Sequence, residues 1–220
     1  VWVKEKLLQK KLIIDGLNCL DRGTITEDDI LFGYHHHSHA AAAYYPSPFD
    51  DAAIVIMDGV GEWATTSIGT GKGRDIHLER EVRFPHSLGM LYSAFTYYLG
   101  FKVNDGEYKV MGLAPYGEPK YVDIIQDKIL DTKPDGSFRL DMGYFNYATG
   151  LTMTNKKFAN LFGQSLRESA DPLSQFHMDI ARSVQVVVED LVMGVCQEAY
   201  RISGSKNLCL AGGVALNCVA

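Results

Sequence analysis

Histidine and aspartate residues with metal-ligand spacing stand in the first third of the 220-residue sequence. If residues 34–45 are helical, His35 and His39 lie one turn apart on one face, where two imidazoles can share a metal ion. Asp58 follows a run of apolar, β-forming residues, and strand ends in α/β sheets are where ligands collect. The three residues are therefore a candidate metal site. Surface histidines on a helix and an ordinary Asp-Gly turn are the competing interpretations.

The stretch DGVGE at residues 58–62 has the composition of an anion-binding turn. Its glycine N–H groups can wrap a phosphate, and Glu62 is available to a hydroxyl or to a metal ion. Lys109, in the stretch GEYKVMG, can meet a phosphate as a point charge, although an exposed lysine on a turn explains it equally well. The candidates for phosphate binding are thus Asp58, Gly59, Val60, Gly61, Glu62 and Lys109.

The stretch NLCLAGGVALN indicates a buried strand, a Gly-Gly turn and the opening of a helix. At Gly212 and Gly213 the absence of a Cβ lets a nucleotide lie against the backbone and permits a positive φ. A turn that binds no ligand is the alternative interpretation.

Hydrophobic patterns predict the elements that must position these residues. A continuous apolar run at 52–59 is typical of a strand buried on both faces, and the alternation after it predicts a hairpin that turns at 69–75. Apolar residues at helical spacing predict an amphipathic helix within 85–100. The same periodicity predicts a long, mostly buried helix over 172–203, and a glycine follows each of the two helices.

Three further segments have weaker patterns. Residues 1–12 are predicted to be helical. The stretch 105–117, rich in glycine and turn residues, is predicted to be a loop, and it carries a lysine and two acids. Residues 118–171 contain a predicted helix near 122–130 but little periodicity elsewhere, so they are predicted to be an insertion or a lid.

Composition limits the possible classes of function. Apolar residues make up 46% of the chain and charged residues 22%, as in a globular domain. A net charge of −6 and the lack of a basic patch exclude a general affinity for nucleic acid or anionic membranes. No apolar run reaches the about 18 residues of a transmembrane helix. The four cysteines lack C-x-x-C spacing, so a soluble, cytoplasmic protein is expected, with Cys209 and Cys218 buried.

Three long stretches together resemble the O-carbamoyltransferases that modify antibiotics and nodulation factors. They are HHHSHAAAAYYPSPFDDAAIVIMDGVGEWATTSIG, FPHSLGMLYSAFTYYLGFKVNDGEYKVMGLAPYG and NLCLAGGVALNCVA, and the resemblance covers about residues 30–220. The chain is similar, more distantly, to the tRNA threonylcarbamoyl-transfer protein. The resemblance implies an α/β domain of the actin-like ATPase (ribonuclease H-like) fold, with a mixed sheet and flanking helices, of which this chain holds an incomplete part.

The activity that the resemblance implies has two steps. An adenylate-forming domain, expected to be absent from residues 1–220, joins carbamoyl phosphate and ATP into carbamoyl adenylate. The domain in this chain then transfers the carbamoyl group to a hydroxyl of a small acceptor such as a sugar or an antibiotic. This fragment is expected to be inactive by itself.

The resemblance also implies roles for individual residues. In the family the H-x-x-x-H histidines bind a divalent metal, usually iron, which implies Fe²⁺ at His35, His39 and Asp58 and a last ligand beyond Ala220. The DGVGE backbone would hold the phosphate of the adenylate. Ser93 stands where the tRNA-modifying relatives carry an acid. The residues implied to line the nucleoside side are Ser93, Gly106, Gly212, Gly213 and Asn217.

Two rival functions share the implied fold. A kinase would transfer the γ-phosphoryl group of ATP, but it would need Mg²⁺ and acidic residues rather than a histidine pair. A non-catalytic subunit would bind metal and nucleotide as a switch. The sequence identifies neither the general base nor the acceptor. A homodimer is compatible with it, whereas neither a nucleic-acid nor a membrane partner is expected.

Overall fold

A computed structural model describes residues 8–20 and 25–220 of the chain, which form an α/β architecture. The helices are α1 (Gln9–Leu20), α2 (His35–Tyr44), α3 (Leu88–Tyr98), α4 (Glu107–Leu113), α5 (Val122–Lys128), α6 (Lys156–Phe162) and α7 (Gln175–Ser203). The strands are β1 (Asp51–Gly61), β2 (Ala64–Lys72), β3 (Asp75–Arg83), β4 (Leu130–Thr132), β5 (Phe138–Leu140) and β6 (Leu208–Ala211). Short 3-10 helices lie at Glu27–Asp29, Ala114–Tyr116, Met142–Tyr144 and Gly213–Leu216.

A mixed sheet of four strands, in the order β3-β2-β1-β6, forms the centre of the larger compact unit, His35–Ala220. β1 runs antiparallel to β2 and parallel to β6, and β2 runs antiparallel to β3. The prediction of an α/β domain with a mixed sheet and flanking helices is confirmed. The assignment to the actin-like ATPase fold stays a prediction.

β1 separates two hydrophobic cores because its side chains alternate between the two faces of the sheet. One set of alternate residues packs with α2 in the smaller core, and the other set packs with α3 and α7 in the larger core. The first set is Ala52, Ile54 and Ile56, and the second is Ala53, Val55 and Met57. The predicted strand buried on both faces is therefore confirmed, and helices cover the sheet on both sides.

The predicted hairpin is confirmed, but its turn is shorter than predicted. β2 continues to Lys72 and β3 begins at Asp75, so only two residues lie between the strands where the sequence predicted a turn over 69–75. Gly73 has φ +59°, and this left-handed conformation lets the chain reverse direction within a two-residue turn.

The two predicted long helices are confirmed as α3 and α7. Each is followed by a glycine in the left-handed region, Gly100 with φ +73° and Gly204 with φ +65°. A glycine at this position ends a helix without the steric cost of a Cβ. α3 begins after Ser87, whose hydroxyl accepts a hydrogen bond from the Met90 N–H at 3.0 Å.

The stretch 105–117 is helical, so the prediction of a loop there is wrong. It forms α4 and the 3-10 helix Ala114–Tyr116. Val110 and Leu113 are buried in the larger core, and this apolar pair outweighs the glycine-rich composition of the stretch.

The prediction of a buried strand for β6 is wrong for two of its residues. Leu208 and Leu210 are 40% and 42% exposed, because β6 is an edge of the sheet in the described chain. Cys209 is buried as predicted. Cys218 is exposed, contrary to the prediction, because it lies beyond this edge strand. The helix predicted to follow β6 is only the short 3-10 helix Gly213–Leu216.

Residues 118–171 contribute to the larger core. They contain α5, the hairpin β4–β5 and α6, and their buried side chains pack in the same cluster as those of α3 and α7. These buried residues include Ile125, Ile129, Phe138, Phe158 and Phe162. The role of the segment as an insertion or a lid stays a prediction.

The smaller compact unit, Val1–Tyr34, contains α1 and the 3-10 helix Glu27–Asp29. The helix predicted over 1–12 lies partly outside the described residues, and α1 extends further, to Leu20. The Asn18 side chain exchanges two hydrogen bonds with the backbone of Ile25, at 2.9 and 3.0 Å. Throughout residues 8–20 and 25–220, no helix has both the length and the apolar character needed to cross a membrane.

Asp179, on the long helix α7, connects this helix to the segment before α5 by hydrogen bonds. Its buried carboxylate accepts hydrogen bonds from the Glu118 N–H at 2.9 Å, from Lys120 at 2.6 Å and from Gln175 at 2.8 Å. Burial by itself would raise the pKa of Asp179, but these donors outweigh burial and hold the pKa below its usual value. The ionised carboxylate therefore stabilises the folded chain.

We expect Asp179→Ala to lower the free energy of unfolding by about 1–3 kcal/mol at pH 7, because the charge-assisted hydrogen bonds that Glu118, Lys120 and Gln175 donate to the buried carboxylate are lost. The difference from wild type should shrink as the pH falls below about 4 and through the depressed pKa of Asp179, since the carboxylate stabilises the folded chain only while it is ionised. Urea unfolding at neutral and acidic pH measures both effects. Asp190→Ala, which removes an exposed acid of the same helix, is the control and should change stability by less than about 0.5 kcal/mol. Equal effects of the two substitutions would contradict this account.

Candidate functional site

Helix α2 carries the two predicted histidine ligands and rests on the sheet by its other face. His36, Ala40 and Tyr44, each four residues after the last, are its buried residues. His35 and His39 each precede one of these buried residues by one position. They therefore project along the side of α2 that borders the end of β1.

The first turn of α2 is held from two sides. The backbone N–H of His35, which has no partner within the helix, donates to the Glu62 carboxylate at 3.2 Å. The Nδ1 atom of His36 lies 2.6 Å from the hydroxyl oxygen of Ser67 on β2. Burial, followed by the nearby His35, lowers the pKa of His36, so its imidazole is neutral at pH 7. His36 and Glu62 thus fix the start of the helix that carries the candidate ligands.

Asp58 lies where β1 separates from its neighbour. The regular pairing of β1 with β2 stops at Met57 and resumes at Gly61, so the residues between them bulge out of the ladder. The N–H groups of Gly59 and Gly213 donate to Asp58 Oδ1 at 2.8 and 3.3 Å. The second carboxylate oxygen, Oδ2, faces α2.

Asp58 Oδ2 and the Nε2 atoms of His35 and His39 form a triangle. Its sides measure 2.7 Å from His35 to Asp58, 3.2 Å from His39 to Asp58 and 3.0 Å between the two histidines. With an ionised carboxylate, hydrogen bonds cannot satisfy all three contacts, because each nitrogen offers either a proton or a lone pair. Ligand atoms at right angles around an ion about 2.1 Å away lie about 3.0 Å apart. The triangle, which we call the His-His-Asp triangle, therefore fits a divalent cation.

The chemistry of the donor set agrees with its geometry. Burial by itself would raise the pKa of Asp58, but hydrogen bonds from His35, Gly59 and Gly213 outweigh burial and lower the pKa to about 2. The carboxylate is therefore negatively charged near neutral pH. Two imidazoles and one carboxylate, with further positions open, are a ligand set suited to Fe²⁺ and similar ions. Of the described residues, His35, His39 and Asp58 are the group of ligand side chains close enough together for one ion.

At two of the predicted glycines, Gly61 and Gly212, the neighbouring atoms leave no room for a side chain. A Cβ on Gly61 would lie 2.3 Å from the His35 ring, so the glycine makes room for a candidate ligand. Gly212 has φ +91°, and a Cβ there would lie 2.3 Å from a carbonyl oxygen of β1. Gly213 has no positive φ, and its Cβ would meet only Asp58 Oδ1, at 3.2 Å. The positive φ predicted for the Gly-Gly turn therefore applies to Gly212 alone.

A cavity of about 430 Å³ lies beside the His-His-Asp triangle, and its size is that of a small-molecule site. The first turn of α3, α4 and the 3-10 helix Gly213–Leu216 form its walls. Gly89 brings α3 so close to β1 that a Cβ would lie 2.7 Å from the Asp58 carbonyl oxygen. The lining residues are Asp58, Gly59, Gly89, Met90, Tyr92, Ser93, Asn104, Asp105, Glu107, Tyr108, Met111, Gly213, Val214, Leu216 and Asn217.

The predicted ligand-binding residues divide into two sets. Those that line the cavity are Asp58, Gly59, Ser93, Gly213 and Asn217. Those outside its lining are Val60, Gly61, Glu62, Gly106, Lys109 and Gly212. The structure thus brings residues of the predicted metal site and of the predicted nucleoside site to one place. The role of each residue toward a ligand stays a prediction.

An acidic side chain lies next to Ser93 in the cavity wall. The Ser93 hydroxyl donates to Glu107 at 2.7 Å, and the Asn104 N–H donates to the same carboxylate oxygen at 3.0 Å. Ser93 is therefore hydrogen-bonded to an acid from α4. Both hydrogen bonds use one oxygen of Glu107, Oε1.

Gly106 and Lys109 lie outside the lining of the cavity. Gly106 is buried just before α4, where a Cβ would lie 2.8 Å from the Phe101 side chain. Lys109 is exposed on α4, with its ammonium group 5.8 Å from the centre of the Tyr108 ring. The glycine permits close packing, and Lys109 is not among the residues that line the cavity.

Several lining residues were not predicted from the sequence, among them Gly89, Tyr92 and Glu107. Tyr92 belongs to the apolar stripe of α3, so its periodicity indicates core packing rather than a site. Gly89 lies in the first turn of α3, and Glu107 lies in the first turn of α4. Neither position reveals how near its helix lies to β1.

Comparisons with known proteins agree on one family. The carbamoyltransferase N-terminus family matches residues 1–220. An uncharacterized protein from Synechocystis sp. is 61% identical over 220 residues, which are 100% of this chain and 36% of that protein. The nodulation protein NolNO from Sinorhizobium fredii is 34% identical over 212 residues, which are 96% of this chain and 29% of that protein. The chain thus spans about a third of the length of these relatives.

A more distant likeness covers a smaller part of the chain. A tRNA N6-adenosine threonylcarbamoyltransferase from Polynucleobacter asymbioticus is 34% identical over 80 residues. These residues are 36% of this chain and 21% of that enzyme. The predicted relation to the tRNA threonylcarbamoyl-transfer protein is confirmed at this level.

We expect Gly212→Ala to destabilise the protein far more than Gly213→Ala. Alanine at position 212 would need a positive φ and would press on a β1 carbonyl, and the backbone strain by itself costs about 1–3 kcal/mol. Alanine at position 213 needs no positive φ, and its Cβ would meet only Asp58 Oδ1, at 3.2 Å. Thermal or urea unfolding of the two variants measures the difference. Equal stabilities would show that the turn does not impose this conformation.

Proposed function

The chain belongs to the carbamoyltransferase family, and we propose that it is the carbamoyl-transfer domain of an O-carbamoyltransferase. In the proposed reaction a separate adenylate-forming domain converts carbamoyl phosphate, ATP and water into carbamoyl adenylate, pyrophosphate and phosphate. The domain described here then passes the carbamoyl group to a hydroxyl of a small acceptor of the sugar or antibiotic class.

The observation that carries this proposal is the position of Asp58 between the candidate metal site and the cavity. One of its carboxylate oxygens completes the His-His-Asp triangle, and the other accepts the Gly213 N–H at the edge of the cavity. A cation in the triangle and a ligand in the cavity would therefore be neighbours that share one residue. Such an arrangement suits a substrate that carries a reactive carbonyl next to a phosphate, as carbamoyl adenylate does.

The transfer step exchanges one bond for another at the carbamoyl carbon. The acceptor hydroxyl oxygen attacks this carbon, the bond from the carbon to the phosphate oxygen breaks, AMP leaves, and the hydroxyl proton passes to a base. A divalent cation held by His35, His39 and Asp58 would polarise the carbamoyl carbonyl and offset the phosphate charge.

The side chains and backbone of this domain would perform the remaining tasks. Gly59 and Gly89 line the cavity without side chains, so a phosphate can approach the backbone closely. Met90 and Met111 give the cavity apolar surface suited to a nucleobase. The N–H donors of Gly59 and Gly213 hold the Asp58 carboxylate in one orientation.

We further propose that the metal is Fe²⁺ and that the domain has the actin-like ATPase fold. The two-histidine, one-carboxylate donor set supports the choice of metal. The mixed sheet with helices on both faces supports the fold, as does the likeness to a tRNA N6-adenosine threonylcarbamoyltransferase. The histidines also weigh against a kinase, which would hold Mg²⁺ with oxygen ligands.

We expect the full-length protein, reconstituted anaerobically with Fe²⁺, to retain about one metal equivalent after desalting, because three ligands converge on one point. The double variant His35→Ala, His39→Ala should retain less than about a tenth of it, since a single carboxylate is left. Mass spectrometry of the metal measures the content. His77→Ala removes an exposed histidine of β3 and should keep the wild-type content. Equal metal in the double variant and in wild type would remove the site.

We expect the full-length protein to form AMP and pyrophosphate from ATP only when carbamoyl phosphate is present. Hydroxylamine, used as a trap for the activated carbamoyl group, should then yield hydroxyurea, detected by mass spectrometry. The double histidine variant should still form the adenylate but transfer its carbamoyl group at least about tenfold more slowly, because the polarising cation is lost. Formation of ADP without any need for carbamoyl phosphate would favour the kinase, and no turnover at all would favour the non-catalytic subunit.

A further inference from the structure

A hydrogen-bonded network of three polar side chains lies behind the cavity. Gln185 on α7 is completely buried. Its side-chain amide pairs with that of Asn217 through two hydrogen bonds of 3.0 Å, one in each direction. The Tyr92 hydroxyl lies 3.0 Å from Gln185 Oε1. Tyr92 and Asn217 line the cavity, whereas Gln185 does not.

The backbone determines which atom of each amide is the oxygen. The N–H groups of Val219 and Ala220 point at one terminal atom of Asn217, at 3.3 and 3.2 Å, and an N–H can only donate. That atom of Asn217 must therefore be Oδ1. Gln185 must then present its nitrogen to Oδ1 and its oxygen to the Asn217 nitrogen.

The same reasoning determines the direction of the tyrosine hydrogen bond. Because Gln185 presents Oε1 towards Tyr92, the Tyr92 hydroxyl must donate. Burial raises the pKa of Tyr92, which keeps the hydroxyl protonated and able to donate. Each group in the network thus has one permitted orientation, and the amide nitrogen of Asn217 has a fixed position in the cavity wall.

We propose that Gln185 is a positioning residue for the cavity, which holds the Asn217 side chain at the place in the cavity wall that an adenine nucleotide requires. This inference rests on the proposed function, which places the nucleotide in this cavity. Gln185 acts through Asn217 and does not itself reach the ligand. It also connects the long helix α7 to the turn after β6, through two residues that lie 32 positions apart in the sequence.

Gln185→Glu tests this proposal because glutamate has nearly the same shape as glutamine but carries an oxygen in place of the amide nitrogen. Once ionised, the carboxylate would place an oxygen where the donor faces Asn217 Oδ1, so two acceptors would meet at about hydrogen-bond distance. Because burial raises the pKa of a carboxyl group, binding by this variant is measured at about pH 9. Asn217 cannot reverse its amide to relieve this contact, since the two backbone N–H groups hold Oδ1 in place. The variant should therefore displace Asn217 from the cavity wall.

The experiment is a double-mutant cycle on the full-length protein, with calorimetry of a stable sulfamoyl analogue of carbamoyl adenylate. We expect Gln185→Glu and Asn217→Ala each to weaken the binding of this analogue at least about tenfold, which corresponds to about 1.4 kcal/mol of binding free energy. Because Gln185 acts through Asn217, the double variant should bind no more weakly than Asn217→Ala alone. Gln197→Glu adds the same charge to an exposed position of α7 and should bind as wild type does.

The remaining outcomes separate this inference from the proposed function. Wild-type affinity in Gln185→Glu, or additive effects in the double variant, would overturn the positioning role while leaving the nucleotide site intact. If wild type did not bind the analogue at all, both the inference and the proposed function would fail. If Gln185→Glu did not fold, Gln185→Met would replace it in the cycle, and its effect should likewise vanish in the Asn217→Ala background.

Discussion

The carboxylate of Asp58 is the group on which the arrangement of the site depends. One oxygen meets the two histidines of α2, and the other accepts N–H groups from Gly59 and Gly213. These contacts join three segments that are far apart in the chain. A partly buried carboxylate such as that of Asp58 is costly unless donors or cations surround it, so the segments that supply these partners are held together around it.

The position of Asp58 follows from the way the sheet is built. Alternate side chains of β1 enter two separate cores, which fixes the strand between α2 on one face and α3 and α7 on the other. The bulge after Met57 then releases the chain from its ladder with β2, so the next residues can turn towards both α2 and the cavity. Gly61 and Gly89 allow the helices to approach this bulge because neither has a side chain to obstruct them.

The cavity is supported by polar groups that do not line it. Gln185 is buried in α7, and its side-chain amide pairs with that of Asn217 in the cavity wall. Ser67 and Glu62 hold the first turn of α2 in a comparable way. Interactions behind the lining thus set the geometry of the groups that face a ligand, as preorganised sites require.

The sequence by itself determined the periodic elements, the family resemblance and the residue types of the candidate metal site. These follow from local properties: period-two burial for β1, helical spacing for α3 and α7, and the four-residue interval between His35 and His39. Only the tertiary structure determined which residues are in contact. It made a helix of the glycine-rich stretch 105–117, because the core buries Val110 and Leu113, and it brought Glu107 to Ser93 and Gln185 to Asn217. Spacing along a chain carries no information about such contacts, since they are set by how the helices and the sheet pack.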